Sequence, residues 1–192
     1  MDSDQCDDQA AATRRAPLAR HPAMWVDPDG VPRETEVERT GERGVLLDVL
    51  RHFRLSLTTT CAGLEVEQMA RRSVPPSSMS LLGLVRHLAE GERNFRRIFG
   101  EDTPRIYRTV EDRDGDWNGA IADPAVVADA WQRWRAESEM TDQFIAGFPD
   151  LGARPGEMPL REILVAQIGE YARHRGHADL LRERIDDRGS AG

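Results

Sequence analysis

Between Pro159 and Ile185, the residues Leu160, Leu164, Gln167, Tyr171, His174, Ala178, Leu181 and Ile185 step alternately by four and three. That is the period of one face of an α-helix; a strand would repeat every two residues. A helix of this length carries a stripe that must be buried against other elements. The rest of the chain supplies them. Leu46, Leu50, Phe53, Leu57, Thr60 and Leu64 make a first helical stripe, and Leu81, Leu84, Val85, Leu88 and Phe95 a second. Val127, Trp131, Trp134, Ser138, Thr141, Ile145 and Phe148 make a third. No β-type alternation of useful length and no internal repeat competes. The pattern predicts an all-α protein, a four-helix bundle in which Pro159–Ile185 is the fourth helix.

Punctuation between the stripes agrees. Val74-Pro75-Pro76-Ser77-Ser78 breaks the chain after the first helix, and Ser78 or Ser80 is placed to cap the second. Asp123 followed by Pro124 is a cap with proline at the first helical position. Residues 100–122 form a long, Gly- and Asp-rich loop between helices two and three, of a length that is often functional. Its Tyr107 and Trp117 are placed to line a pocket mouth. Residues 1–22 are polar and lack an apolar period, which predicts a disordered tail. Residues 23–38 read as an extended arm whose Trp25 packs on the bundle, so the domain is expected over 23–188.

Composition excludes several functions. The formal charge of −8 gives no basic face for nucleic acid. No apolar run reaches the ~18 residues of a membrane helix, and Met1-Asp2-Ser3-Asp4 is unlike a secretion signal, so a cytoplasmic location is expected. Cys6 falls in the tail and Cys61 on the first apolar stripe, where a small buried hydrophobe is a better reading than a nucleophile or a disulfide partner. All 26 basic residues are arginine, a bias of high-GC bacterial genomes.

The chemistry-bearing residues gather on the fourth helix, in Glu170-Tyr171-Ala172-Arg173-His174-Arg175-Gly176-His177. At about 100° per residue, Glu170, His174 and His177 share roughly 60° of arc. Glu170 and His174, one turn apart, can reach one metal ion. His174 also lies on the inward stripe, where an unpaired imidazole is costly. His87, in Leu84-Val85-Arg86-His87-Leu88-Ala89-Glu90, offers a third ligand from the second helix. Taken singly, a helical glutamate is usually solvated and a core histidine is usually a satisfied packing residue. His21 and His52 lie outside this group, the second expected at the surface. Trp131 and Trp134 read as core. Gly176 interrupts a helix at a cost of about 1 kcal/mol, which predicts close approach of a neighbouring helix or of ligand.

The stretches Val74-Pro75-Pro76-Ser77-Ser78-Met79-Ser80-Leu81-Leu82-Gly83-Leu84-Val85-Arg86-His87-Leu88 and Glu170 to Glu183 resemble the DUF664 branch of the DinB superfamily, a likeness that runs from about Trp25 to Asp187. The resemblance implies a four-helix bundle, commonly a homodimer, with a divalent metal near one end. It places the family's helix-two histidine on His87. Where many members have two histidines four apart, this chain has Glu170 and His174, similar to the His-Glu-His site of the mycothiol-dependent maleylpyruvate isomerase relatives. The metal ligands implied are therefore His87, Glu170 and His174. His177 is expected beside the ligands or facing substrate. Arg173 and Arg175 flank the motif, where they can orient an anionic substrate, although exposed helix arginines are the more usual reading. The chain departs from the branch at Ala166, where many members have histidine, and at Glu162, where tryptophan is common.

Three protein ligands leave an open position, the arrangement of catalytic zinc, although nickel, iron or manganese suit the same donors. The resemblance then implies a thiol-dependent transferase or isomerase that activates a low-molecular-weight thiol such as mycothiol and joins it to an electrophilic partner. Two alternatives stand beside it. One is a metal-dependent hydrolase assisted by Glu90 or His177. The other is a non-catalytic stress-response or ligand-binding bundle that keeps a structural metal.

Overall fold

A computed structural model describes residues 40–186. The tail at 1–22 with Cys6 and His21, and the arm at 23–38 with Trp25, lie outside the described residues. The described residues form α1 (Gly41–Cys61), α2 (Val66–Ala70), α3 (Leu81–Ile98), α4 (Gly115–Asn118), α5 (Pro124–Ala146) and α6 (Leu160–Asp186), with no strand among them. Helices α1, α3, α5 and α6 are the four expected from the stripes. Among the described residues no helix is long and apolar enough to cross a membrane.

The expected caps form. Ser80, rather than Ser78, opens α3, its Oγ accepting from the Gly83 N–H at 3.0 Å. Asp123 opens α5, its Oδ1 accepting from the Ala125 N–H at 2.7 Å, with Pro124 in the first turn. Two short helices were not expected. Helix α1 ends at Cys61, so Leu64 lies past it, and α2 follows with the Gln68 side chain accepting from the Glu65 N–H at 2.8 Å. Helix α4 is a single turn inside the long loop.

Helix α3 packs on α5, α4 and α6, while α1 packs on α6. The position of α3 explains its burial: Leu81, Leu82, Leu84, Val85, Leu88 and Phe95 are all inside, but so are Arg86, Glu90, Glu92 and Arg96. Every residue of the α6 stripe from Leu160 to Ile185 is buried. The core also contains a charged centre. Arg54 of α1 grips Glu92 through Nε–Oε1 and Nη2–Oε2 at 2.8 and 2.9 Å. Tyr171 donates to Glu92 Oε1 at 2.6 Å and accepts from Trp134 Nε1 at 2.9 Å. One buried carboxylate thus ties α1, α5 and α6 to α3 in register, because each donor reaches it only in this packing.

Candidate metal centre

Helices α3 and α6 lie against each other so that His87 faces Glu170 and His174. The one-turn spacing on α6 puts His174 Nε2 3.0 Å from Glu170 Oε1, and His87 Nε2 reaches the same oxygen at 3.2 Å. One ligand atom from each of the three residues lies within 4.8 Å of the other two. The His87 and His174 rings are 4.6 Å apart.

The far nitrogens are also engaged. His87 Nδ1 lies 2.8 Å from Asp116 Oδ2, on α4, and Arg108 Nε donates to that same oxygen at 3.1 Å. A carboxylate behind a histidine holds the proton on Nδ1 and leaves Nε2 free to ligate. A cation at Nε2 would take the place of the Glu170 contact and leave the Asp116 contact at Nδ1. Asp116 is fully buried, and its Oδ1 has no hydrogen-bond partner among the described residues, an unmet acceptor behind the cluster. The indole of Trp117 stacks on the His87 ring at 4.9 Å and 25°. Gly83 makes room for it, since a Cβ there would stand 2.6 Å from Trp117 Cε3.

Electrostatics favour the ligating forms of His174 and Glu170. Burial, followed by the charge of His87, pushes the His174 imidazole down to about 4 against the pull of Glu170. It is therefore neutral at pH 7, as a ligand must be. Burial alone would raise Glu170, yet hydrogen bonding from His87 and the charge of His174 hold it below the usual carboxylate range. Asp116 is likewise lowered: the His87 hydrogen bond and Arg108 outweigh its burial. Two convergent imidazole nitrogens, an ionised carboxylate and an unmet buried acceptor behind them fit a divalent cation.

The other residues singled out in the sequence sit around this core. His177 Nδ1 lies 3.3 Å from His174 Nδ1, outside the three-residue cluster. Arg173 is exposed and donates to Glu170 Oε2 at 3.0 Å. His52 is exposed, and Arg175 Nη1 approaches its Nε2 at 3.5 Å. Cys61 is buried, which pushes its thiol up to about 12 and removes it as a nucleophile. Trp134 is core, with Trp131 packed on it at 5.5 Å. Tyr107 lies under the Arg86 guanidinium at 3.7 Å instead of lining a pocket mouth. The expectation that a neighbouring helix approaches Gly176 is corrected: apart from its own helix backbone and flanking residues, no atom of the described residues lies within 4 Å of where its Cβ would stand.

A cavity of about 320 Å³ adjoins the cluster, with His87 and Glu170 among its lining residues. Ala166 also lines it, so the departure from the branch at that position leaves space where a larger side chain would stand. Glu90 lines it too, but its Oε1 accepts the backbone N–H groups of Tyr107 and Arg108 at 2.6 and 3.0 Å. That carboxylate anchors the loop.

Asp116, which lies against His87 Nδ1, is a residue of the candidate site that the sequence does not point to. It lies one position before Trp117, which was singled out, but a lone acidic residue in an Asp-rich loop gives no periodic signal.

A family model described as Mycothiol-S-transferase matches residues 45–187, most of the chain. No curated protein and no solved structure matches.

Proposed function

We propose, for a chain that belongs to the mycothiol S-transferase family, that His87, Glu170 and His174 hold a divalent cation, zinc foremost, and that the protein transfers mycothiol to an electrophile. The observation that carries this reading is the convergence of two Nε2 atoms on one Glu170 oxygen at 3.2 and 3.0 Å, beside a cavity. A divalent ion there would supply a Lewis-acid position at which a thiol loses its proton near neutral pH.

The chain's own residues prepare that position. Asp116 sets the tautomer of His87, and burial keeps His174 neutral. Arg173 engages Glu170 Oε2, leaving Oε1 turned to the histidines. His177 can exchange a proton with His174 Nδ1. Contact of His177 and Arg173 with substrate, expected from the sequence, belongs to the same proposal. So do a homodimer and a cytoplasmic location beside the thiol pool.

The test is elemental analysis of protein purified without a histidine tag, followed by mycothiol conjugation to bromobimane. The wild type should carry stoichiometric metal and form the thioether faster than the uncatalysed reaction. Alanine at 87, 170 or 174 should remove both, whereas His177→Ala should keep the metal. Lowering the pH should also empty the site, because protons compete for the imidazoles. Thiol-independent cleavage of an ester would favour the hydrolase, and metal loss that only lowers the melting temperature would favour a structural ion.

A further inference from the structure

We infer that the cavity beside the metal centre is a subsite for a carboxylate on the electrophile, read by Arg105 together with the side-chain amides of Gln167 and Asn94. The identity of the ligand as an electrophile rests on the transferase reading; the subsite itself does not.

Three lining groups point to it. Gln167 is 8% exposed, and its Nε2 is a buried donor with no hydrogen-bond partner among the described residues. A buried donor left unmet is costly, so an acceptor arriving in the cavity would be favoured. Gln167 lies one turn before Glu170 on α6, which sets its amide beside the metal ligands. Arg105 lines the same cavity from the loop after α3, and among the described residues no carboxylate pairs with it. Its neighbours differ: Arg108 is committed to Asp116 at 3.1 Å, and Arg93 is committed to Glu137. Asn94, one turn beyond Glu90 on α3, adds a second amide to the lining.

Charge decides which substrate the subsite serves. Glu90 is occupied by two backbone donors of the loop, and Glu170 faces the histidines. Those neutral donors position the Glu90 carboxylate without cancelling its charge, but among the described residues no carboxylate forms an ion pair with the exposed Arg105. Mycothiol carries hydroxyls and amides but no anionic group beyond its sulfur, so it does not call for the guanidinium. A carboxylate on the other substrate does. One guanidinium with neutral amides matches a single negative charge, since guanidinium pairs best with a planar carboxylate. The anchored carboxylate would then hold the reacting carbon near the thiol, the proximity that transfer requires.

The chemistry balances with an aryl chloride. The thiol sulfur bonds to the ring carbon that bears chlorine, the C–Cl bond breaks, chloride leaves with the electron pair, and the thiol proton passes to solvent.

The test uses metal-loaded full-length protein and two pairs of probes. By calorimetry without thiol, para-nitrobenzoate should bind at least roughly tenfold tighter than para-nitrobenzamide, the scale of a charge-assisted hydrogen bond. Arg105→Gln and Gln167→Leu should each abolish that preference, with metal content unchanged. Gln167→Leu should not lower the melting temperature, because it removes an unmet donor. A preference that is absent, or that survives in Arg105→Gln, overturns the subsite. Mycothiol conjugation of para-chloro-meta-nitrobenzoate and of its benzamide then separates the two readings. Equal conjugation of both, unchanged in Arg105→Gln, leaves a transferase without this subsite. Arg105-dependent binding with no thioether from either compound leaves the subsite and removes the transferase reading.

Discussion

Two carboxylates at the centre of this bundle are surrounded in opposite ways. Glu92 is completely buried and met on every side by Arg54, Tyr171 and the more distant Ser138. Glu170 is partly open, and one of its oxygens is crowded by two imidazole nitrogens at once. Both clusters draw on α3 and α6, the closed one on α1 and α5 as well, and Glu170 and Tyr171 are adjacent in sequence. A step of one residue on α6 therefore turns from a closed network to an open one. The closed network has no unmet atom in reach of solvent and can do no more than hold helices in register. The open cluster keeps an orphan at Asp116 Oδ1 and another at Gln167 Nε2. Such unmet groups are retained at a stability cost where they bind something.

The sharpest way to break that contrast is to remove one partner from each cluster. Arg54→Ala leaves Glu92 as a buried, uncompensated charge, so urea denaturation should show a loss of ~3–5 kcal/mol. His87→Ala, measured in metal-free protein, should cost only ~1–2 kcal/mol, because Glu170 remains reachable by water. Arg54→Ala should leave metal content intact in whatever fraction stays folded. If His87→Ala proves the more damaging change, the open cluster is structural and the contrast fails.

A smaller effect concerns the carboxylate behind the ligand. Asp116→Asn keeps size and one acceptor but removes the charge that fixes His87 Nδ1–H. Metal affinity, measured by competition with a chelator, should fall about 10–100-fold, the usual consequence of losing such a partner. Unchanged affinity would mean that Trp117, stacked on the same ring, orients His87 by itself.

The four long helices were legible because each buries one stripe, and period alone identifies a stripe. Part of the candidate metal cluster was legible for a related reason: the α6 spacing brings Glu170 and His174 together whatever the rest of the fold does, while His87 rested on the family resemblance. What escaped was the interior of α3. A helix packed on α5, α4 and α6 has little solvent face, so Glu90, Glu92 and Arg96 are inside although their residue types belong at the surface. Nothing in the sequence separates a glutamate that will meet Arg54 from one that will meet water. Asp116 escaped for another reason. It sits on a single helical turn that owes its position to Arg86, whose guanidinium donates to the Gly115 and Asp116 carbonyls at 2.9 Å, a contact between distant segments.

The smallest expected effect tests the exposed side of α6, behind the open cluster. Gly176 lies between His174 and His177 in a regular helix, and the sequence implied a packing reason for it. In the structure a Cβ at that position meets nothing of the described residues within 4 Å beyond its own helix backbone and flanking residues. With no contact to lose, Gly176→Ala should act only through the backbone: fewer unfolded conformations and a better helix former, worth about 0.5–1 kcal/mol of added stability. Metal content should not change, because the ligands face the opposite way. The measurement is a melting curve at two protein concentrations. A gain that is the same at both leaves this face open to solvent and puts the contact of any homodimer elsewhere. A loss that deepens on dilution would show that a second copy of the chain approaches closely at Gly176, and that the glycine is kept for the partner rather than for the fold.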